Sequence, residues 1–136
     1  MPEILLIEDN GNDVAVALRA FRKGRLEERV AVLRDGDEAL EFLRGLHAGQ
    51  VPKVVFLDIK MPRRDGWEVL REMREDARLR HVPVVMVSWS DHEDDVREAY
   101  RLGANGYMVK RLDPGRPGEY WVDAARYWVD LNRPER

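Results

Sequence analysis

The chain has 136 residues and carries 23 Lys+Arg against 26 Asp+Glu; its net charge of −3 offers no basic field to hold nucleic acid or an anionic membrane. Cysteine and threonine are absent and Ser88 and Ser90 are the only serines, which excludes disulfides, thiol chemistry and most hydroxyl-nucleophile enzymes. No apolar run approaches the roughly 20 residues of a membrane span, so the expectation is a single cytoplasmic domain over residues 1–136 with no output domain attached.

The predicted elements alternate between strand and helix. Ile4–Asp9 (ILLIED) is a short apolar run ending in acids, and Val14, Ala17, Leu18 and Phe21 then recur at helical spacing. Arg29–Asp35 reads as a second strand and Asp37–Leu46 as a second helix, punctuated by Gly45, Gly49 and Pro52. Val54–Asp58 (VVFLD) is the third strand. Asp65-Gly66-Trp67-Glu68 resembles a helix cap ahead of Val69, Leu70 and Met73. Val82–Ser88 is the fourth strand, and Ser90-Asp91-His92-Glu93 predicts a capping box opening a helix to Leu102, stopped by Gly103. Gly106–Lys110 is the fifth strand, and Glu119–Leu131 a final helix. Alternation of this kind implies a parallel sheet covered on both faces.

In such a sheet all strands end at one edge, and open α/β sheets bind their ligands there. The ends supply Glu8 and Asp9, Asp58, Ser88 and Lys110. Carboxylates without histidine or cysteine suit a hard cation, with Mg²⁺ the natural candidate. His47, His81 and His92 lack ligand spacing and read as surface residues. Asp58, at the end of an apolar strand, could act as a carboxylate nucleophile toward a phosphoryl group. Lys110 would then neutralise the phosphoryl oxygens while Ser88 donates a hydrogen bond. Singly, each residue also fits a bland role: a helix-start acid, a turn aspartate, a strand-ending serine, a solvated lysine. Jointly those roles are a poor account, because five suitable side chains reach one edge.

IEDN, LDIKMPRRDG, PVVMVS and GYMVK stand in an order and spacing that resembles the response-regulator receiver domain, the phosphoacceptor module of two-component signalling. The likeness spans nearly the whole chain. It implies a doubly wound, flavodoxin-like α/β domain of five parallel strands in the order 2-1-3-4-5 with five helices. By resemblance, Asp58 takes the phosphoryl group from a histidine kinase or a phosphotransfer protein. Glu8, Asp9, Asp58 and the Lys60 carbonyl would hold Mg²⁺, and Ser88 and Lys110 would bind the phosphoryl oxygens. Tyr107 matches the aromatic that turns inward when the hydroxyl residue moves. Arg111 stands where the family usually has proline, and Trp89 where a small residue is usual; its ring is expected to restrict access to the phosphoryl group. The connection RLDPGRPG is longer than the family pattern.

In the last helix Trp121, Ala124, Ala125 and Trp128 form a stripe flanked by Tyr120 and Tyr127. Part must be core, and the four aromatics exceed what one face requires, which suggests an interface. The tail YWVDLNRPE resembles the small stand-alone regulators that accompany bacterial phytochromes. That implies a phytochrome kinase as phosphodonor; a homodimer through the fourth helix, fifth strand and fifth helix is also expected. The competing reading is a receiver-like binding module that is never phosphorylated. Mg²⁺ enzymes fit poorly: a phosphatase of the haloacid dehalogenase type or a Toprim nuclease would need Asp-x-Asp where Glu8-Asp9-Asn10 and Asp58-Ile59-Lys60 stand.

Overall fold

The computed structural model describes residues 2–135, the side chain of Ala48 aside. Strands β1 (Ile4–Ile7), β2 (Val30–Leu33), β3 (Val54–Asp58), β4 (Val84–Ser88) and β5 (Gly106–Val109) form one sheet in the order 2-1-3-4-5. Every pairing is parallel. Helices α1 (Gly11–Lys23), α2 (Gly36–Arg44), α3 (Gly66–Glu75) and α4 (Glu93–Arg101) make the four crossovers, and α5 (Glu119–Arg126) follows the last strand. This is the covered parallel sheet that the alternation implied and the doubly wound, flavodoxin-like fold that the resemblance implied.

The pleat divides the core in two. Leu5, Ile7, Val55, Leu57, Val84 and Met86 face one way, onto Leu40 and Leu43 of α2, Leu70 and Met73 of α3, and Ala99 of α4. Their neighbours Ile4, Leu6, Val54, Phe56, Val85 and Val87 face the other way, onto Ala17 and Phe21 of α1 and Trp121 and Ala125 of α5. Successive side chains of a strand point to opposite faces, so strands covered on both sides must be apolar throughout. β1, β3 and β4 are buried along their whole length, whereas β2 and β5, at the edges, are only half-buried.

Several boundaries differ from the sequence pattern, each for a local reason. β4 begins at Val84 because Pro83 has no N–H to give the ladder, although its carbonyl still accepts from Val55. α4 is capped by His92 rather than Ser90: the Ser90 hydroxyl accepts from the His92 N–H at 3.1 Å and donates to Asp95 at 2.7 Å, which delays the helix. The last helix is not uniform. After Arg126 it widens into a π-helical turn over Tyr127–Leu131, closed by the Asn132 N–H on the Tyr127 carbonyl at 2.7 Å. Its inward face is Trp121, Val122, Ala125 and Val129, rotated from the expected stripe.

Two charged tethers fix the sheet's surroundings. Arg74 of α3 donates to the carbonyls of Gly103 at 2.8 Å and Val82 at 3.0 Å and to the Asn105 side chain at 2.8 Å, binding α3 to the starts of β4 and β5. At the N-terminal edge, Glu3 meets Arg29 at 2.7 Å and Lys53 at 3.0 Å. The Arg29 hydrogen bond above all, with help from Lys53, outweighs partial burial and holds the Glu3 carboxyl down at about 2.

The turn after β3 decides where Asp58 points. Gly66 donates its N–H to the Ile59 carbonyl at 2.8 Å as α3 begins, and Asp65 caps that helix by accepting from the Glu68 N–H at 3.0 Å. A Cβ on Gly66 would lie 2.2 Å from the Asp58 carbonyl oxygen and 2.9 Å from the Ile59 Cα, both backbone atoms that cannot turn away. Gly66→Ala is therefore expected to lower the unfolding free energy by about 1–3 kcal/mol or more through overpacking, read as a lower urea midpoint. A midpoint equal to wild type would show that the β3–α3 turn is not close-packed.

Candidate functional site

Among the described residues the buried polar or charged side chains are Glu8, Asp58, Ser88 and Lys110, and all four stand at the C-terminal edge of the sheet. A fold keeps buried charge only where charges pair or meet a ligand. Lys110 is 4% exposed, and its ammonium is fully engaged. It forms a close ion pair with Glu8 Oε1, meets Asp13 Oδ2 at 2.8 Å, and lies 3.5 Å from Asp58 Oδ1. Glu8 uses its other oxygen to accept from the Asn10 N–H at 3.1 Å. Ser88 Oγ accepts from the Ser90 N–H at 3.0 Å.

Asp9 is half-buried, and its carbonyl is held by Arg34 at 2.9 Å. One carboxylate oxygen each of Glu8, Asp9 and Asp58 lie within 4.8 Å of one another. Three acids at this separation without His or Cys fit a hard divalent cation. Lys60 is exposed and borders, with Asp9, Trp67, Ser88 and Asp95, a cavity of about 570 Å³ that opens beside the acids.

The electrostatics are unbalanced. Burial first, and next the Glu8 carboxylate beside it, push the Asp58 carboxyl up to about 8; Asp9 adds to this and the Lys110 charge opposes it. Burial disfavours the Lys110 ammonium, but its hydrogen bonds to Asp13 and Glu8 and the nearby Asp58 outweigh that and raise it well above the usual lysine value. Asp13 is the residue that the sequence pattern did not single out. The only signal for it is position: it lies in the first turn of α1, capped by Asn10, and that turn faces the end of β5.

The family model for the response regulator receiver domain matches residues 4–117. Probable methanogenesis regulatory protein FilR2 of Methanothrix harundinacea is 38% identical over 133 residues, covering 96% of this chain and 85% of that protein. Response regulator Rcp1 of Synechocystis is 34% identical over 110 residues, covering 79% and 75% of the two chains. The crystal structure of the phosphorylated cyanobacterial phytochrome response regulator RcpA superposes with a TM-score of 0.84 at 32% identity, covering 98% of this chain and 97% of that one. The chain belongs to the response-regulator receiver family.

Around this receiver site the remaining expected residues take definite places. The Tyr107 hydroxyl donates to the Ser90 carbonyl at 2.8 Å, across the loop that follows Ser88. Trp89 is 53% exposed and its ring sits toward α1, where Nε1 donates to Asp13 Oδ2 at 3.2 Å. Its ring thus borders the Lys110 side rather than the cavity beside Asp9. Arg111 lies over the Tyr120 ring at 5.4 Å, and there is no cis peptide bond among the described residues.

The expectation that Trp121 belongs to an exposed interface is corrected. It is 1% exposed and packs edge-on against Phe56 at 5.4 Å and Phe21 at 6.0 Å, so it is core. Tyr120 stacks on it at 5.7 Å and is half-buried, as is Trp128. Tyr127, 49% exposed, is the aromatic of this group that α5's end leaves open to solvent. No helix among the described residues is long and apolar enough to cross a membrane.

Because burial and the Glu8 carboxylate push Asp58 up to about 8 in the metal-free fold, against about 3.9 in the unfolded chain, folding favours proton uptake between those values. Stability contributed by this group therefore falls as pH rises through that window. In chelator-treated protein, Asp58→Asn is expected to gain stability over wild type, measurably at pH 8 and almost nothing near about pH 4. Equal stability of the two proteins at both pH values would remove the charge imbalance.

Proposed function

We propose that this receiver is a stand-alone response regulator in the cytoplasm, phosphorylated on Asp58 and acting by contact with other proteins. The observation that supports this reading is the gathering of the buried polar side chains around one carboxylate at the strand ends. An Asp58 oxygen attacks the phosphorus of a phosphohistidine on a histidine kinase or phosphotransfer protein. The P–N bond breaks, its electron pair stays on the imidazole, and Asp58 becomes an acyl phosphate. Lys110 turns toward the transferred oxygens, and Ser88 donates its hydroxyl proton to one of them. Glu8, Asp9, Asp58 and the Lys60 carbonyl are the groups that would hold Mg²⁺, which when bound supplies positive charge for the phosphoryl oxygens.

Movement of Ser88 toward the phosphoryl group would pull on Ser90 through their hydrogen bond, and Tyr107 is bonded to the carbonyl of that same Ser90. Tyr107 is thus placed to follow, and the surface it alters is that of α4, β5 and α5, where Tyr100 and Tyr127 are exposed. Output through that surface includes a homodimer. The likeness to RcpA, a phytochrome response regulator, supports a phytochrome-type kinase as the phosphodonor.

The test is intact mass after acetyl phosphate and Mg²⁺ on wild type and Asp58→Asn. Expected is one phosphate on wild type alone, abolished by prior chelation. No phosphate on either protein would leave a binding module that is not phosphorylated; phosphate on both would mean another acceptor.

A further inference from the structure

Lys110 is shared among three carboxylates, and one of them lies outside the acid trio. Asp13 Oδ2 stands 2.8 Å from the ammonium, nearer than Asp58 Oδ1 at 3.5 Å. The same Asp13 oxygen accepts the Trp89 indole N–H at 3.2 Å. Asp13 is itself fixed, its backbone N–H donating to the Asn10 side chain at 3.0 Å. Trp89 hangs over a cleft of about 420 Å³ bounded by Val16, Leu112 and Tyr120, so its ring has room to turn once that single polar tie is lost.

We propose that Asp13 is a positioning residue that parks Lys110 away from Asp58 in the resting state, and that Trp89 is released when Lys110 leaves it. The proposal rests on Asp58 being the phosphoacceptor. A phosphoryl group adds negative charge beside Asp58 and needs a donor. Lys110 has three N–H groups, all engaged. Of the three partners, Asp13 is the most exposed, at 15% against 1% for Glu8 and 11% for Asp58. Water can replace the ammonium at Asp13 at less cost than at a carboxylate sealed in the core. Asp13 is therefore the partner that lets go, and until it does it competes with the phosphoryl group for the lysine. With Lys110 gone, Asp13 turns to water and its hold on the indole loosens.

The experiment follows Trp fluorescence and intact mass together after acetyl phosphate and Mg²⁺ are added. Trp89→Phe provides the spectral difference that isolates Trp89 from Trp67, Trp121 and Trp128. Wild type is expected to show a Trp89 emission change in step with phosphate uptake. Asp13→Asn keeps the shape but loses the charge; it should take up phosphate about three- to tenfold faster, since a neutral acceptor holds an ammonium less strongly, and show a reduced emission change. Wild type that gains phosphate with no Trp89 signal, or Asp13→Asn that is no faster than wild type, overturns the proposal. If Asp13→Asn folds poorly, the wild-type trace against Trp89→Phe decides by itself. Wild type that gains no phosphate removes the phosphoacceptor reading and this proposal with it.

Discussion

One buried ammonium organises this molecule. Lys110 is carried to the C-terminal edge by β5 and is nearly sealed from water. An isolated ammonium in such a place would lose its charge or unfold the chain. It stays because Glu8 from the end of β1, Asp13 from the first turn of α1 and Asp58 from the end of β3 all reach it. Those groups can meet because the strand order 2-1-3-4-5 puts β1 and β3 side by side. The topology and the lysine therefore specify each other: a slip of one residue in β3 would turn Asp58 to the opposite face of the sheet.

The two edges of the sheet carry opposite solutions to the problem of charge. At the N-terminal edge one carboxylate, Glu3, has two cations, and its proton affinity falls to about 2. At the C-terminal edge several carboxylates share one cation, and Asp58 is pushed up to about 8. The first arrangement is complete and serves stability. The second is short of positive charge, and a divalent cation in the acid trio is the simplest group to complete it. A site that is incomplete in isolation is what ligand binding requires, because binding then relieves repulsion already present in the fold.

Much of this was legible in the sequence because the signals are local and covalent. VVFLD states that a strand buried on both faces ends in an acid, and parallel topology then sends every strand end to one place. The boundaries were less legible where side chains compete for backbone groups, as when Ser90 bonds His92 and Asp95 and leaves the cap to His92. Two residues were read wrongly or missed. Trp121 looked like a surplus aromatic because a helix stripe counts residues but does not weigh the space beneath them, and Phe21 and Phe56 leave a slot that the indole fills. Asp13 was hidden among first-turn acids, which suit any helix dipole; only the tertiary approach of α1 to the end of β5 separates it from them.

The same approach explains how the site is joined to the rest of the surface. The residue after Lys110 is Arg111, whose guanidinium lies over the Tyr120 ring, and Tyr120 stacks on Trp121 in the core beneath α5. Trp89, next to Ser88, is tied to α1 through Asp13. Both strand ends that reach the acidic site from the β4–β5 side are therefore flanked by aromatic residues. Close-packed cores shift between discrete arrangements instead of deforming smoothly. A sub-ångström change at Lys110 or Ser88 is met by rings that must either hold or turn, and Trp121, buried on all sides, is the one that holds. The freedom lies with Trp89 and Tyr107, each fixed by a single polar contact. The loop after β4 and strand β5 are therefore the segments that join the site to the surface, and the α1–α5 layer packs against the opposite side of the sheet from α2, α3 and α4.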